Sequence, residues 1–260
     1  MGQTAEVLGA LTCLSHFSFR PTLAFTNDIR MTKSIYNWFC GLLPLLVLAL
    51  GPAAVLTSCE DNVGNEDNSE FTDHWKERNA QYFLDRMNEA KAAIREAKAA
   101  YGDDWEAHTD WRTVRSTAKV NGTNITVTDS ICFKYVEHGT SIETPLYTDS
   151  VRTNYIGRLI PTTSYADGRI FDHSGLYDDE DRVFNSDFST PTAFAVSNMV
   201  EGYTTLLQYL HVGDRVRAYL PQELAYLGAS NSVMPSYSTL IFDVQLKGIW
   251  RAGTKVGTWE

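Results

Sequence analysis

The sequence predicts an α+β fold: one antiparallel sheet set against a single short helix, preceded by a long amphipathic helix. Three observations carry this. Apolar residues recur at three- and four-residue steps between 72 and 101, extended β-rich runs occupy 112–160, and one short helical stripe at 198–210 precedes two further alternating runs.

The chain has 260 residues and a formal net charge of −10. An acidic chain with no basic patch lacks the phosphate-neutralising charge that non-specific nucleic-acid binding requires, so no nucleic-acid partner is expected. Residues 31–61 read MTKSIYNWFCGLLPLLVLALGPAAVLTSCED: a methionine, one early lysine, an apolar core around Leu42 to Leu50, a Gly51-Pro52 break, then small residues. That order is the layout of a secretory signal, and Pro44, Gly51 and Pro52 leave the apolar run short of a membrane span. Leu56-Thr57-Ser58-Cys59 resembles the bacterial lipobox. On that reading 31–58 is a lipoprotein signal peptide, Cys59 the lipidated first residue that anchors the chain to a membrane, and 1–30 a mis-annotated start. The protein is then expected in a bacterial cell envelope, as an outer-membrane lipoprotein facing the periplasm or the surface.

The segment 59–71, rich in acids and poor in apolar anchors, reads as a tether. Acidic residues directly behind such a cysteine resemble the export signals of Bacteroidetes surface lipoproteins. From 72 to 101, Trp75, Tyr82, Phe83, Met87, Ala90, Ile94, Ala97 and Tyr101 line one helical stripe, with Thr72 available as a cap and Gly102 as the stop. Such a helix packs on the downstream domain or pairs with a second copy in a dimer. Charges at Glu77, Arg86, Glu89 and Arg95 confine the apolar face to one stripe, which favours packing.

The globular domain is placed at 112–250. WRTVRSTAKV, NITVT, SICFKYVEHG and SVRTNYIGRLI read as strands bounded by turns such as Asn121-Gly122, and Asp167-Gly168 marks a hairpin. Residues 198–210 form the short helix, GDRVRAYLP the next strand, and Tyr237 to Leu246 the last. With Cys13 and Cys40 removed and Cys59 lipidated, Cys132 remains as a buried small hydrophobe.

Standard catalytic layouts are missing. The histidines have no metal-ligand spacing, no serine sits in a nucleophile elbow, and no glycine-rich loop leads into a helix. The acidic run 177–181 lacks the ligand spacing of a calcium loop. No cofactor or metal is expected. What remains is an ordered set of aromatic and apolar residues with one carboxylate: Tyr155 in NYIGRL, Phe171-Asp172 in GRIFDHS, Phe194 in TAFAV, the helix MVEGYTTLL, Val212-Gly213 in LHVGDRVRAYLP, then ELAYLGASNSVMPSYSTLIFDVQL.

This order resembles the FKBP-type peptidyl-prolyl cis-trans isomerase family, over roughly Ile131 to Ile249. The resemblance implies an FKBP-like antiparallel sheet wrapped around the short helix. It also implies that Tyr155, Phe171, Phe194 and Phe242 wall a proline pocket, with Asp172 as a carboxylate at its buried rim. Met199 and Val200 line the entry to the helix, with the Val200 N–H offered to ligand. Tyr226 offers its hydroxyl to a substrate carbonyl, and Val233 and Met234 form a flap over the proline ring. Four positions depart from the family pattern: Tyr203 stands where the pocket floor is usually tryptophan, Leu227 where glycine usually follows the tyrosine, Ser236 where a second proline is usual, and Thr192 where an aromatic is usual before Phe194. An insertion at 173–191 interrupts the strand edge.

The implied activity, isomerisation of X-Pro bonds in exported polypeptides, needs no nucleophile. The amide barrier of about 18–20 kcal/mol comes from resonance, and a dry aromatic pocket disfavours the planar dipole relative to the twisted form. Two rivals stand beside it. One is a non-catalytic FKBP-fold peptide-binding or chaperone module, supported by Tyr203; the other is a surface adhesion or glycan-binding lipoprotein, for which no ligand constellation is present.

Overall fold

A computed structural model describes residues 68–119, 124–175 and 189–257. The signal peptide, the lipobox with Cys59, most of the tether, Asn121-Gly122, the acidic run and the centre of the 173–191 insertion lie outside the described residues. Among the described residues no helix is long and apolar enough to cross a membrane.

Helix α1 spans Trp75–Tyr101 and helix α2 spans Glu201–Leu207. Seven strands form one sheet: β1 Trp111–Arg115, β2 Ser130–Glu137, β3 Ser150–Arg158, β4 Ile170–His173, β5 Thr192–Ala195, β6 Arg215–Leu220 and β7 Leu240–Trp250. Their order is β1-β2-β6-β7-β3-β4, with β5 also on β3, and every pairing is antiparallel. The α+β class and the leading helix are as the sequence predicts. β4 and β5 share one edge of β3: β5 pairs with Ser150 to Thr153 and β4 with Ile156 to Arg158. The described flanks of the insertion, His173 and Thr192, therefore lie on the same edge of β3. Ser174 bridges part of the gap, since its N–H donates to the Tyr155 carbonyl at 3.0 Å and the Tyr155 N–H donates to Ser174 Oγ at 2.9 Å.

Alternation along the strands sorts side chains between two layers. Ile131, Phe133, Val151, Tyr155, Val216, Ala218, Leu220, Leu240, Phe242, Val244 and Leu246 face α2 and bury with Tyr203, Leu206, Leu207 and Leu210. Gly202 lets α2 approach closely, because a Cβ there would meet Leu220 Cγ at 2.8 Å. Cys132, Tyr219, Ile241 and Trp111 face the other way and bury under Phe83, Met87, Ala90 and Ile94 of α1. The apolar stripe of α1 is thus covered by its own sheet. Burial also pushes the Cys132 thiol up to about 12, consistent with an inert core residue.

Several local expectations are corrected. The cap of α1 is His74, in the left-handed region at φ 45°, and not Thr72, whose Oγ1 donates instead to the Ser69 carbonyl in the preceding turn. Tyr101 is exposed and stacks on the His108 ring, centroids 3.5 Å apart, instead of entering the core. NITVT is not a strand: Thr126 and Asp129 cap each other around a 3-10 turn at Val127–Asp129, satisfying locally the groups a strand would pair. The last strand starts at Leu240, since Tyr237 has φ 62°, incompatible with extended backbone. The short helix is confined to Glu201–Leu207 within 198–210.

Replacing Phe83 by Ala removes a ring that is 1% exposed between α1 and the sheet. The loss is expected to cost about 3–5 kcal/mol in a denaturant titration, whereas a variant at exposed Tyr101 should move the midpoint little.

Candidate active site

The concave face of β3 and β7 builds the site from below. Tyr155 and Phe242 project toward α2, which presents Tyr203 between them, and β4 and β5 add Phe171 and Phe194 from the edge of β3. Ring centroids are 5.0 Å apart for Tyr203 and Phe242, 5.6 Å for Phe171 and Phe242, and 5.6 Å for Tyr155 and Phe194. Tyr155 lies 6.4 Å from both Tyr203 and Phe242, and Phe194 lies 6.5 Å from Tyr203. These edge-on and tilted geometries suit the ring quadrupoles and hold the five rings as one cluster.

A strand glycine makes the cluster fit. A Cβ at Gly157 would lie 2.7 Å from the Phe171 ring and 2.9 Å from the Phe242 ring. Sequence reasoning passed over Gly157, although a glycine inside a strand run signals close approach by a neighbouring group.

Polar groups are placed with equal economy. Tyr155 donates its hydroxyl hydrogen to Asp172 Oδ2 at 3.0 Å, and the other Asp172 oxygen accepts the His173 N–H at 2.9 Å. The Tyr203 hydroxyl lies 3.3 Å from Thr153 Oγ1. Burial, reinforced by the Asp172 carboxylate, raises the Tyr155 hydroxyl above the ordinary tyrosine range; burial raises Tyr203 and Tyr226 as well. All three are therefore neutral phenols near neutral pH.

A cavity of about 310 Å³ opens beside this cluster, lined by Phe171, Asp172, Tyr226, Ala229, Ser230, Asn231 and Met234. Tyr226 is half exposed, while Met234 is buried. The floor rings Tyr155, Tyr203 and Phe242 are nearly closed to solvent. Sequence-predicted residues thus meet in two groups, the aromatic floor and this cavity, joined through Phe171 and the Tyr155–Asp172 hydrogen bond. Met199 and half-buried Val200 pack on the core at the start of α2 without lining the cavity. Val233 is exposed and is not part of the cavity lining, although its neighbour Met234 is. Asp172 is exposed rather than held at a buried rim, because it lies near the end of the short edge strand β4, where the burial falls away.

Residues 143–247 match the family model described as FKBP-type peptidyl-prolyl cis-trans isomerase. The chain carries an FKBP-type domain. It is 30% identical over 180 residues to the FKBP-type peptidyl-prolyl cis-trans isomerase FkpA of Escherichia coli, covering 69% of this chain and 58% of that protein. It is 34% identical over 131 residues to the FKBP-type 22 kDa peptidyl-prolyl cis-trans isomerase of the same organism, covering 50% and 54%. The macrophage infectivity potentiator of Trypanosoma cruzi is 31% identical over 124 residues, 47% of this chain and 55% of that one. The chain therefore spans little more than half the length of these relatives. The crystal structure of FkpA from Escherichia coli aligns with 69% of this chain and 74% of its own at 29% identity, with a TM-score of 0.38. The FKBP-type match includes all of β3 to β6, α2 and most of β7, and begins after α1, β1 and β2.

The tyrosine shifts set an alkaline limit on stability. A phenol whose folded pKa is raised binds its proton more tightly in the native state, so stability is intact below the unfolded value of about 10 and falls as pH rises through it. Denaturation midpoints of the chain should decline above about pH 10, and Tyr155→Phe should make that decline shallower.

Proposed function

We propose that this chain is a peptidyl-prolyl cis-trans isomerase acting on proline-containing segments of polypeptides as they fold. The observation that carries the reading is the convergence of Tyr155, Phe171, Phe194, Tyr203 and Phe242 around one floor, with the half-exposed Tyr226 hydroxyl and Asp172 on an adjoining cavity. A proline ring in the cavity rests on Phe171 and Met234, with the Phe242 and Tyr203 rings packed in turn behind Phe171. The preceding carbonyl then accepts a hydrogen bond from the Tyr226 hydroxyl on the cavity wall. Met234, held at the cavity wall, closes over the ring.

In such a site the planar amide loses hydration of its large dipole, whereas the twisted amide, with resonance broken, has less to lose. Preferential binding of the twisted form lowers a barrier of about 18–20 kcal/mol without any covalent step, and each ~1.4 kcal/mol is tenfold in rate. Asp172 holds the Tyr155 hydroxyl, so Tyr155 serves as an oriented wall; no proton transfer is required of either.

The export setting belongs to the same proposal. A signal over 31–58 and lipidation at Cys59 would hold the domain at the bacterial envelope, where its substrates are exported chains. Fatty-acid labelling should be lost in Cys59→Ser if this is right, and labelling of that variant at the parent's level would remove the anchor from the proposal.

The activity is tested by catalysed isomerisation of a proline tetrapeptide and of an unfolded protein whose refolding is proline-limited. Tyr226→Phe and Phe242→Ala should each lower kcat/KM by at least about tenfold. Equal rates in parent and variants would sink the enzyme reading. Tyr203 is the observation that favours a binding module instead, because its hydroxyl is committed to Thr153 and its ring is smaller than the tryptophan usual in the family. Tyr203→Trp should raise the rate of an enzyme whose floor is under-filled and leave a pure binding module inactive.

A further inference from the structure

The flap that closes the cavity is held by residues lying outside the FKBP-type match. Trp75 donates its Nε1 hydrogen to Ser238 Oγ at 3.0 Å, and Ser238 in turn donates to the Pro235 carbonyl at 2.7 Å. One turn later, Asn79 is fully buried and pairs with Thr239 twice. Its Oδ1 accepts the Thr239 N–H at 2.7 Å and its carbonyl accepts the Thr239 hydroxyl at 3.0 Å. The Asn79 Nδ2 donates to the Trp75 carbonyl at 2.7 Å, which fixes the amide orientation.

A second contact reaches the other side of the flap. Phe71 sits under the Arg169 guanidinium at 4.0 Å and beside the Tyr165 ring at 5.8 Å. Arg169 then donates from Nη2 to the Val233 carbonyl at 2.7 Å. The Glu70 carboxylate accepts the Ser164 N–H and hydroxyl at 3.1–3.2 Å, tying the β3–β4 loop to the same N-terminal turn. Around the Val233 attachment the flap is also held by its own short-range bonds: Asn231 Oδ1 accepts the Val233 and Met234 N–H groups, and the Asn231 N–H donates to the Met234 carbonyl.

We propose that residues 70–79 are the positioning element of the flap, with Trp75 and Asn79 setting its exit into β7 and Phe71 setting it through Arg169. On this account the site is complete only when the segment preceding the family match is docked. Met234, which lines the cavity, lies between the two attachments, four residues before Ser238 and one after Val233. Loosening either attachment lets it leave the substrate ring. The inference rests on the isomerase reading above for its catalytic consequence, and on geometry alone for its structural one.

The full chain is compared with Trp75→Phe, which keeps an aromatic ring and removes the donor, and with Arg169→Ala. Amide deuterium exchange across 229–239 should quicken about fivefold or more in each variant while exchange in β3 and in 241–249 stays at parental rates. The KM for a proline tetrapeptide should rise by a similar factor with kcat changed less than about twofold, because a docked flap adds binding rather than chemistry. Arg169→Lys, which keeps a cation and an N–H donor, should recover most of the loss. Exchange that rises uniformly across the domain, exchange unchanged in the flap, or local loosening with KM unaltered would each overturn the proposal. A parent chain without isomerase activity would defeat the functional reading instead, and the exchange comparison would still decide the brace.

Discussion

The antiparallel pairing of β3 with β7 governs the rest of the molecule. Registers such as Tyr155 with Val244 and Gly157 with Phe242 put every second side chain of both strands on the α2 face. Because side-chain direction has a strict period of two, a slip of one residue would exchange the aromatic floor for Asn154, Ile156, Asp243 and Gln245. The register is held at its inner face by α2 and the rings, and at its outer face by a charged arrangement. Arg217 grips buried Asp243 through two hydrogen bonds of 3.0 and 2.9 Å, and Arg158 lies 3.8 Å from the same carboxylate. Two guanidinium groups around one buried carboxylate are costly to desolvate, but a slip would leave each of them unpaired, so the cluster favours one register over its neighbours.

The same period explains how a single sheet serves two helices. Inner positions build the core under α2, and outer positions of β1, β2, β6 and β7 receive α1. α1 thereby spends its apolar stripe within the chain. Its first turns then continue past the sheet edge to Ser238 and Thr239, so the helix that stabilises the outer face also reaches the rim of the candidate site. Folding of the outer layer and order at the flap are linked through one rigid element.

Long, periodic segments were legible in the residues, and segments whose fate depends on distant partners were not. The stripe of α1 and the alternation of β2, β3, β6 and β7 are local signals that burial amplifies. NITVT has strand-forming residues, yet Thr126 and Asp129 satisfy each other before any strand can pair with them. Asn79 falls on the apolar stripe of α1, one turn after Trp75, and only the Thr239 backbone, 160 positions away, makes the burial of its amide favourable. The aromatic residues that meet at the candidate site are those that the resemblance to the FKBP-type family singled out by their order along the chain. The exposure of Asp172 and of Val233 and the need for Gly157 were not legible, since each depends on where β4 and the flap come to rest.

By itself the sequence determined which segments could be helix or strand, which faces of them were apolar, and which aromatic residues were available to a pocket, because periodicity and side-chain chemistry are properties of short stretches. Only the tertiary structure decided that Phe171 and Phe242 meet over Gly157, that one edge of β3 is shared by β4 and β5, and that the flap is anchored on Trp75 and Asn79. Those outcomes depend on hydrogen bonds and ring contacts between residues far apart in the chain, whose partners no local pattern identifies.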